Sequence, residues 1–523
     1  MLAQALINSA MRHADRTAVK YNDQSLTYGQ LITRAKVVAL KLRRLAAEMN
    51  TPEEPVCGLV FSHGIPGIIG VVASVLAGLV YVPLDASYPP GRLADIARHS
   101  GISILVTDFD TLPVAEALAA VHSNPVSITM VDDISCNATG QYDLAEKHHS
   151  RVYLLYTSGS TGIPKGVIQH EEPIIHFAEA YIHELQITPN DRLTLFSTFG
   201  HDAAVIDIFA GLLSGACLYP LDLRIPENLL RLPGWLSRNS ISVWHSVPSL
   251  FRTFFTSVRR LPALPALRLA VLGGEALRSN DYTLCSKKLP GTGLYSLYGQ
   301  TESSYSSGLI VTQAEDASAV GLPLPGTKLL IALGTGSFTV ISPSGDWVQE
   351  SCPLLSTYGI EDAELLIASP YIAEGYYKDS YLSDQAFFTS PKFGRLYRTG
   401  DLVEPDGAGR LIFRGRKDSL IKIRGYRVEP GEIESYILTI TGVKECAVCS
   451  ITRSGPAALT AFIHSDRPLL LTEVNRCLEE RLPAYMLLSE VVNLEQFPYT
   501  LTGKIDRKKL VSELEHLTLS ERH

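Results

Sequence analysis

One glycine-rich loop constrains this chain more than any other segment. The residues of this loop that could contact phosphate are Thr157, Ser158, Gly159, Ser160, Thr161, Gly162 and Lys165. Glycines allow backbone N–H groups to turn toward phosphate oxygens, hydroxyls add donors, and a lysine adds positive charge. The loop is not a Walker A motif, because Lys165 follows Pro164 and precedes Gly166. It therefore predicts binding of a polyphosphate, and a flexible surface loop is the alternative that this segment alone leaves open.

Four further motifs follow the loop in order. They are Tyr298–Glu302 (YGQTE), Tyr397–Leu402 (YRTGDL), Gly415–Gly425 (GRKDSLIKIRG) and Thr502–Arg507 (TGKIDR). With the segments at 26–28 and 77–85, they make the chain similar to the adenylate-forming superfamily, which unites nonribosomal peptide synthetase adenylation domains, acyl-CoA synthetases and luciferases. The chain most resembles a free-standing amino-acid adenylation domain. The resemblance covers nearly all of the sequence.

The length and patterning predict an α/β protein with two domains. A chain of 523 residues exceeds one ordinary core. Short apolar runs at 152–155, 193–196 and 269–272 alternate with helix-like stretches at 227–238 and 248–258, which indicates layers of helices around buried strands. The resemblance implies a large N-terminal core of layered α/β subdomains, with a β-rich subdomain from about 331 to 350. It also implies a smaller, mobile α+β C-terminal lid.

We place the domain boundary where a polar linker meets a renewed pattern. Residues 1–417 are expected to bind ATP and substrate, and residues 418–523 to form the lid. Because a short polar linker at Lys417 and Asp418 separates two units able to rotate, we take Asp418 as the hinge as a hypothesis.

Charge and hydropathy exclude some partners. A net charge of −8 with a pI near 6.0 does not favour nucleic acid as a partner. The uncharged run from Gly64 to Leu84 is long enough for a membrane span, but Pro66, Gly70 and Pro83 interrupt it, so a buried helix followed by a strand is expected. With no basic segment before an apolar stretch at the N-terminus, the expected location is cytoplasmic, without membrane attachment.

The eight cysteines are scattered and are expected to be reduced thiols. Cys446 and Cys449 have the spacing of a redox or half-zinc motif, but no second pair accompanies them. Their surroundings predict a half-buried strand instead.

The resemblance assigns the chemistry to ATP and Mg²⁺. Attack of a carboxylate on the α-phosphorus requires negative charge to be stabilised on both sides of that phosphorus. The loop 157–165 would hold the β- and γ-phosphates, Thr301 the α-phosphate, and Glu302 the Mg²⁺ ion. Lys504 would be the catalytic lysine that bridges substrate and phosphate oxygens. By itself, Lys504 lies in a basic run that is typical of a solvated surface.

A second set of residues would bind the nucleoside. Asp401 would accept both ribose hydroxyls, and Arg416 would add a second contact to the sugar. Tyr298 would stack on adenine. The residues expected to line the nucleotide cleft beside it are Gly273, Gly274 and Glu275. A solvated turn is the alternative for Asp401 considered alone.

Two positions in this set depart from the family pattern. Gln300 replaces the usual proline of the YGPTE motif, and Phe413 replaces an aromatic residue that carries a hydroxyl. Neither change removes a phosphate ligand, so an effect is expected on ATP affinity rather than on the chemistry.

Asp202 indicates the class of acid that is activated. It lies where peptide-synthetase adenylation domains place the aspartate that binds the α-ammonium of an amino acid. A carboxylate in an apolar segment requires a cation; a helix beginning near Ala203 and capped by Asp202 is the alternative. The positions expected to line the side-chain pocket are Ala203, Ile206, His245, Ala270, Leu272, Leu297, Tyr305 and Ser306. None carries a formal charge, so an uncharged side chain of small to medium size, such as that of proline, is expected.

The sequence thus predicts an enzyme that forms aminoacyl-AMP and loads a separate carrier protein through its phosphopantetheine thiol. The carrier is expected in trans, since no carrier segment with an attachable serine follows the lysine motif. A D-alanine-type carrier ligase and an acyl- or aryl-CoA ligase are the alternatives among ligases. A luciferase-like oxygenase and an inactive binding module are the alternatives outside them.

Overall fold

A computed structural model gives the structure of the chain. It describes residues 1–49, 55–122, 125–132, 150–158, 164–333, 337–351, 363–406, 410–417, 421–423, 425–451, 457–499 and 505–520.

The chain divides into two compact units. The first consists of residues 1–87, 97–156 and 166–417, and the second of residues 88–96, 157–165 and 418–523. Each unit is described by itself below.

The helices begin at residues suited to helix N-termini. Proline occupies the first turn of α3, α5, α8, α9 and α12 in the numbering that follows, where its missing N–H has no intrahelical partner in any case. Their bounds are α1 Leu2–Arg12, α2 Tyr28–Glu48, α3 Ile65–Ala77, α4 Pro90–Ser100, α5 Leu112–Val121, α6 Glu171–Glu184, α7 Asp202–Ser214, α8 Pro226–Arg238, α9 Pro248–Ser257, α10 Ser279–Lys288, α11 Ser380–Ala386, α12 Pro430–Ile437, α13 Leu471–Glu479 and α14 Arg507–Ser520.

A nine-stranded sheet carries most of the candidate site. Its strands, in spatial order, are β15 Leu322–Pro323, β14 Ser304–Val311, β13 Gly293–Gln300, β12 Leu269–Gly273, β11 Val243–Ser246, β9 Arg192–Leu195, β10 Cys217–Pro220, β1 Thr17–Tyr21 and β2 Gln24–Thr27. The pairs from β1 through β10, β9, β11 and β12 to β13 are parallel, and the pairs at both edges are antiparallel. The ends of several parallel strands therefore meet at one edge, where ligands commonly bind.

A second sheet has seven strands, and it too contains adjacent parallel pairs, namely β3 with β4, β3 with β5, β4 with β7 and β5 with β6 in the numbering that follows. In spatial order these are β20 Gly375–Tyr376, β8 Lys165–His170, β7 Arg151–Thr157, β4 Val80–Asp85, β3 Val56–Phe61, β5 Ile102–Thr107 and β6 Ser127–Met130. Strands β3 and β4 are buried along their whole length, as expected for parallel strands covered on both faces.

The uncharged run from Gly64 to Leu84 folds into α3 and most of β4. Every residue of α3 except Pro66 is buried, and Ile68 and Val72 pack in one core with Phe209 of α7. The predicted core helix followed by a strand is confirmed. Within the described residues, no helix is long and apolar enough to cross a membrane.

The third sheet is antiparallel and includes the predicted β-rich subdomain. Its strands are β18 Trp347–Ser351, β17 Ser337–Ile341, β16 Lys328–Leu333, β19 Glu364–Ala368, β22 Gly394–Pro405, β21 Phe387–Ser390 and, paired with β22, β23 Leu411–Arg416.

The described part of the second unit contains two small sheets. They contain β24 Ile421–Ile423 and β25 Tyr426–Val428, and then β26 Val443–Ile451, β27 Ala458–Ser465 and β28 Glu490–Asn493. Cys446 and Cys449 lie in β26, as predicted, but they belong to hydrophobic clusters on its two opposite faces. The strand is therefore buried on both faces rather than half-buried. Burial raises the pKa of Cys446 to about 12 and that of Cys449 to about 11, so both thiols stay protonated. The mixed α/β class is confirmed.

Candidate active site

Asp401 is the centre of a buried hydrogen-bond network in the third sheet. The residue is 1% exposed. The pairing of β22 with β23 places Arg416 directly opposite it, with Arg416 Nη1 2.6 Å from Asp401 Oδ1. A buried carboxylate needs such a partner to remain charged. The structure thus brings together the two residues predicted to contact the ribose.

Two side chains from β13 donate to the other oxygen of Asp401. The Tyr298 hydroxyl lies 2.5 Å and Gln300 Nε2 2.7 Å from Asp401 Oδ2. Burial and then the Asp401 charge raise the pKa of Tyr298 well above its ordinary value, so its hydroxyl remains a donor. The contact of Tyr298 with adenine stays a prediction.

Glu302 lies in the turn that connects β13 to β14. Its side chain is fully buried, and the Tyr376 hydroxyl donates to Glu302 Oε1 at 2.7 Å. Thr301 precedes it and is half-buried. No group of three or more His, Cys, Asp or Glu side chains among the described residues could hold a metal by itself. Magnesium is commonly held by one or two carboxylates together with substrate phosphates, so one carboxylate here fits Mg²⁺ that arrives with ATP.

The described ends of the glycine-rich loop 157–165, which is predicted to bind phosphates, are strand termini. Thr157 ends β7 and Lys165 begins β8, with Ser158 buried between them. Thr157 Oγ1 is buried and has no hydrogen-bond partner among the described residues. An unpaired buried hydroxyl is costly, and a phosphate oxygen is a suitable acceptor for it.

Several predicted residues lie outside the part of the chain that the structure describes. They are Gly159, Ser160, Thr161, Gly162, Asp418 and Lys504. Their roles stay predictions.

The residues predicted to line the nucleotide cleft lie at the end of β12 and in the tight turn that follows it. Gly274 has φ +79°, a conformation that favours glycine. Glu275 accepts hydrogen bonds from Ser249 N at 3.0 Å and Ser249 Oγ at 2.8 Å, at the start of α9. Glu275 therefore anchors α9. Phe413 packs at the edge of the cluster that contains Tyr397.

Asp202 begins α7. Its Oδ1 accepts a hydrogen bond from Ala203 N at 2.9 Å, and its side chain is half-buried rather than fully buried. No cation among the described residues pairs with it. Burial and then the Asp202 charge raise the pKa of Tyr153. The helix N-terminus and the clamp are compatible at this position, since a terminal carboxylate keeps lone pairs for an ammonium.

Strand register separates the predicted pocket residues into two groups. Val271 pairs with His245 in β11, and Gly273 pairs with Leu297 in β13. Paired residues of adjacent strands share a face, and successive residues alternate. The face that carries His245 and Leu297 therefore also carries Val271 and Gly273.

Ala270 and Leu272 lie on the opposite face of β12. Both belong to an aromatic cluster with Trp244 and Phe251, whereas Ile206, Val271, Leu297 and Tyr305 belong to another cluster. The structure therefore does not bring Ala270 and Leu272 together with His245 and Leu297, since neighbouring residues of a strand lie on opposite faces. Their role in the side-chain pocket stays a prediction. Ala203 and Ser306 lie beside Asp202 and Tyr305, and Ser306 Oγ donates to Ser303 O at 3.1 Å.

His245 has a buried partner that the sequence did not reveal. Its Nδ1 lies 2.7 Å from Asp207 Oδ1; the residues are 6% and 2% exposed. Burial alone lowers the pKa of His245, but the Asp207 charge, with a contribution from Asp202, raises it above its ordinary value. The only sequence signal was an acidic residue one and a half turns after Asp202 in a helix that is otherwise apolar.

A second missed group joins the YRTGDL motif to the end of the first unit. Glu364 is fully buried and pairs with Arg398 Nε at 3.0 Å and Lys417 Nζ at 2.9 Å. Lys417 N also donates to Gly400 O at 3.0 Å. The residue before the predicted hinge is thus fixed to the strand that carries Asp401.

Comparisons with known proteins show the family. The family described as "AMP-binding enzyme" matches residues 6–377, and the one described as "AMP-binding enzyme C-terminal domain" matches residues 432–504. The chain belongs to the AMP-binding enzymes. The resemblance to adenylate-forming enzymes is confirmed.

The curated relatives are much longer than this chain. Gramicidin S synthase 2 of Brevibacillus brevis is 29% identical over 504 residues, which are 95% of this chain and 11% of that protein. Tyrocidine synthase 1 of Brevibacillus parabrevis is 28% identical over 505 residues, 95% of this chain and 43% of that protein. The chain therefore spans less than half of either relative.

A solved structure shows the same fold. The Vibrio cholerae adenylation domain AlmE, in complex with glycyl-adenosine-5'-phosphate, has a TM-score of 0.80 and 22% identity, and the match covers 98% of each chain.

Proposed function

We propose that this enzyme activates an amino acid with ATP and loads it onto the phosphopantetheine thiol of a separate carrier protein. In the first step, a carboxylate oxygen of the amino acid bonds to the α-phosphorus, the bond to the β-phosphate breaks, and pyrophosphate leaves. In the second step, the thiol sulfur bonds to the carbonyl carbon, AMP leaves, and the thiol proton passes to solvent.

The observation that carries the amino-acid assignment is the position of Asp202. Its carboxylate begins α7 and is near enough to His245 to contribute to the raised pKa of that residue, and no ion pair of Asp202 is found among the described residues. An α-ammonium would supply that cation as a charge-assisted partner.

The remaining residues support nucleotide binding in this reaction. Asp401 and Arg416 would hold the ribose, Thr157 and Lys165 the phosphates, and Glu302 the Mg²⁺ ion, which screens phosphate charge when bound. Lys504 would approach from the lid after rotation about Asp418, since a few linker residues can absorb such a motion. The substrate side chain would be uncharged and small to medium in size, because none of the positions expected to line the pocket is an aspartate, glutamate, lysine or arginine.

Pyrophosphate exchange with amino, fatty and aryl acids tests the assignment. Asp202→Ala should lower kcat/KM for the best amino acid by roughly 30-fold to several thousand-fold, the effect of about 2–5 kcal/mol from removing one partner of a desolvated charge pair. The matching acid without the amine should change little. Asp379→Ala is the matched control, because Asp379 caps α11 by accepting from Leu382 N at 2.9 Å.

The competing ligases predict other outcomes. If the wild-type enzyme prefers the acid without the amine, or if Asp202→Ala impairs both acids equally, Asp202 is structural and an acyl- or aryl-CoA ligase becomes the better assignment. Transfer to coenzyme A but to no carrier protein would likewise replace the carrier thiol by coenzyme A as the acceptor.

A further inference from the structure

The side-chain amide of Gln300 is buried, and both its nitrogen and its oxygen form hydrogen bonds. The residue is 7% exposed and ends β13. Its Nε2 donates to Asp401 Oδ2 at 2.7 Å and lies 3.4 Å from Thr399 O, while its Oε1 accepts from the Tyr397 hydroxyl at 2.6 Å. Both ends of the amide therefore have partners, as a buried amide requires.

The partners fix the direction of the amide. An ionised carboxylate only accepts hydrogen bonds, so the nitrogen of Gln300 must face Asp401 and the oxygen must face Tyr397. The Tyr397 hydroxyl is then the donor. Tyr397 is itself buried and packs against Phe387 with ring centroids 5.1 Å apart, so the hydroxyl is held in place by the core.

We propose that Gln300, oriented by Tyr397, is a positioning residue that fixes the Asp401 carboxylate for the ribose of ATP. The proposal rests on the proposed role of Asp401 in nucleotide binding. Tyr298 and Gln300 hold Oδ2, and Arg416 holds Oδ1, so rotation of the carboxylate would break several short hydrogen bonds. With Arg416 as its described partner, Oδ1 keeps capacity for a ribose hydroxyl.

The proline that usually occupies this position could not do this, because it has no side-chain donor. The Gln300 side chain thus links the buried Tyr397 hydroxyl to the Asp401 carboxylate through two successive hydrogen bonds. Such coupling is measured by a double-mutant cycle.

The test measures ATP and amino-acid parameters separately. Gln300→Met, which keeps the length and removes the polar atoms, should raise KM for ATP by about 10-fold or more, the usual effect of losing a buried hydrogen bond to a charged group. The KM for the amino acid should stay within about twofold. Tyr397→Phe should shift KM for ATP in the same direction and should have no further effect when Gln300 is already Met.

Controls separate positioning from a loss of folding. Gln169→Met removes another buried amide, which accepts from His170 N at 3.0 Å; it should lower the melting temperature without raising KM for ATP. Additive effects of the Gln300 and Tyr397 changes, or an unchanged KM for ATP in Gln300→Met, would overturn the proposal.

Direct ATP binding by calorimetry, without amino acid, separates this inference from the proposed function. Asp401→Asn should weaken ATP binding if Asp401 holds the ribose. If Asp401→Asn weakens binding and Gln300→Met does not, the positioning role alone fails. If neither variant weakens binding, the nucleotide-site assignment itself fails, and the inference with it.

Discussion

Asp207→Asn should destabilise the protein in a pH-dependent way. In the wild-type protein His245 Nδ1 lies 2.7 Å from Asp207 Oδ1. Asparagine has nearly the same shape as aspartate and keeps an oxygen that can accept a hydrogen bond from His245 Nδ1, but it carries no charge. Asp207 raises the pKa of His245 in the folded state. A histidine with a raised folded pKa contributes stability that is fully present below the unfolded value of about 6.5 and is lost as pH rises through the folded value.

The magnitude follows from the burial of the pair. Both residues are almost inaccessible, so solvent screens the interaction little. A buried hydrogen bond to a charged group contributes about 1.5–3 kcal/mol, and this is the expected loss near pH 6. Above the folded pKa of His245 the imidazole is neutral in both proteins. The remaining difference is then set by a neutral–ionic against a neutral–neutral hydrogen bond and by the cost of burying the Asp207 charge, which raises the pKa of Asp207.

Thermal unfolding of both proteins from pH 6 to pH 9 measures this difference. For a domain of 150–250 residues, 1 kcal/mol corresponds to a shift of about 2–4 °C, and the shift is smaller for a larger unit. In this chain of 523 residues a loss of a few degrees near pH 6 should therefore shrink toward pH 9. In a His245→Asn background the Asp207→Asn shift should not vary with pH. A melting-temperature difference that is constant across the range in the presence of His245 would refute the reasoning.

Two further predictions concern catalysis and selectivity. Lys504→Ala should lower the adenylation rate by roughly 10²-fold or more and leave ATP binding nearly intact, as expected for one electrostatic group in the transition state; near-normal pyrophosphate exchange would contradict it. Leu272→Ala should cost about 2–5 kcal/mol of stability, since it empties part of the aromatic cluster, but should leave the ratio of kcat/KM among amino acids unchanged. Val271→Ala should change that ratio, and the reverse assignment of effects would return Leu272 to the pocket.

Residues that belong to a motif could be predicted from the sequence, because the motif gives both the residue type and its position in the site. Asp401 and Arg416 were predicted to act together, and the pairing of β22 with β23 brings their side chains within hydrogen-bond distance. The core helix α3 was predictable because its uncharged run has a proline, Pro66, in the first helical turn and a glycine, Gly78, directly after the last helical residue.

Partners that come from distant segments could not be predicted in this way. Asp207 and His245 are 38 positions apart, and Gln300 and Tyr397 are 97 apart. Each residue taken singly fits a packed or solvated role, and only the fold shows that one side chain supplies what the other needs. Gln300 stands out in the sequence as a departure from the family, but its role depends on a tyrosine outside its own motif.

The faces of β12 follow from the period of a strand. Residues in β12 alternate between the face shared with His245 and Leu297 and the aromatic cluster, so Val271 and Gly273 lie on the first face and Ala270 and Leu272 in the cluster. If the side chain of the substrate binds on the first face, Val271 and Gly273 take the place of Ala270 and Leu272 there. The exchange has a consequence for the substrate. A valine and a glycine together carry two fewer side-chain carbons than a leucine and an alanine. The face of β12 that packs in the same cluster as Ile206 therefore has smaller side chains than the predicted positions Ala270 and Leu272 would give. The proposed amino acid is therefore expected toward the medium end of the predicted size range.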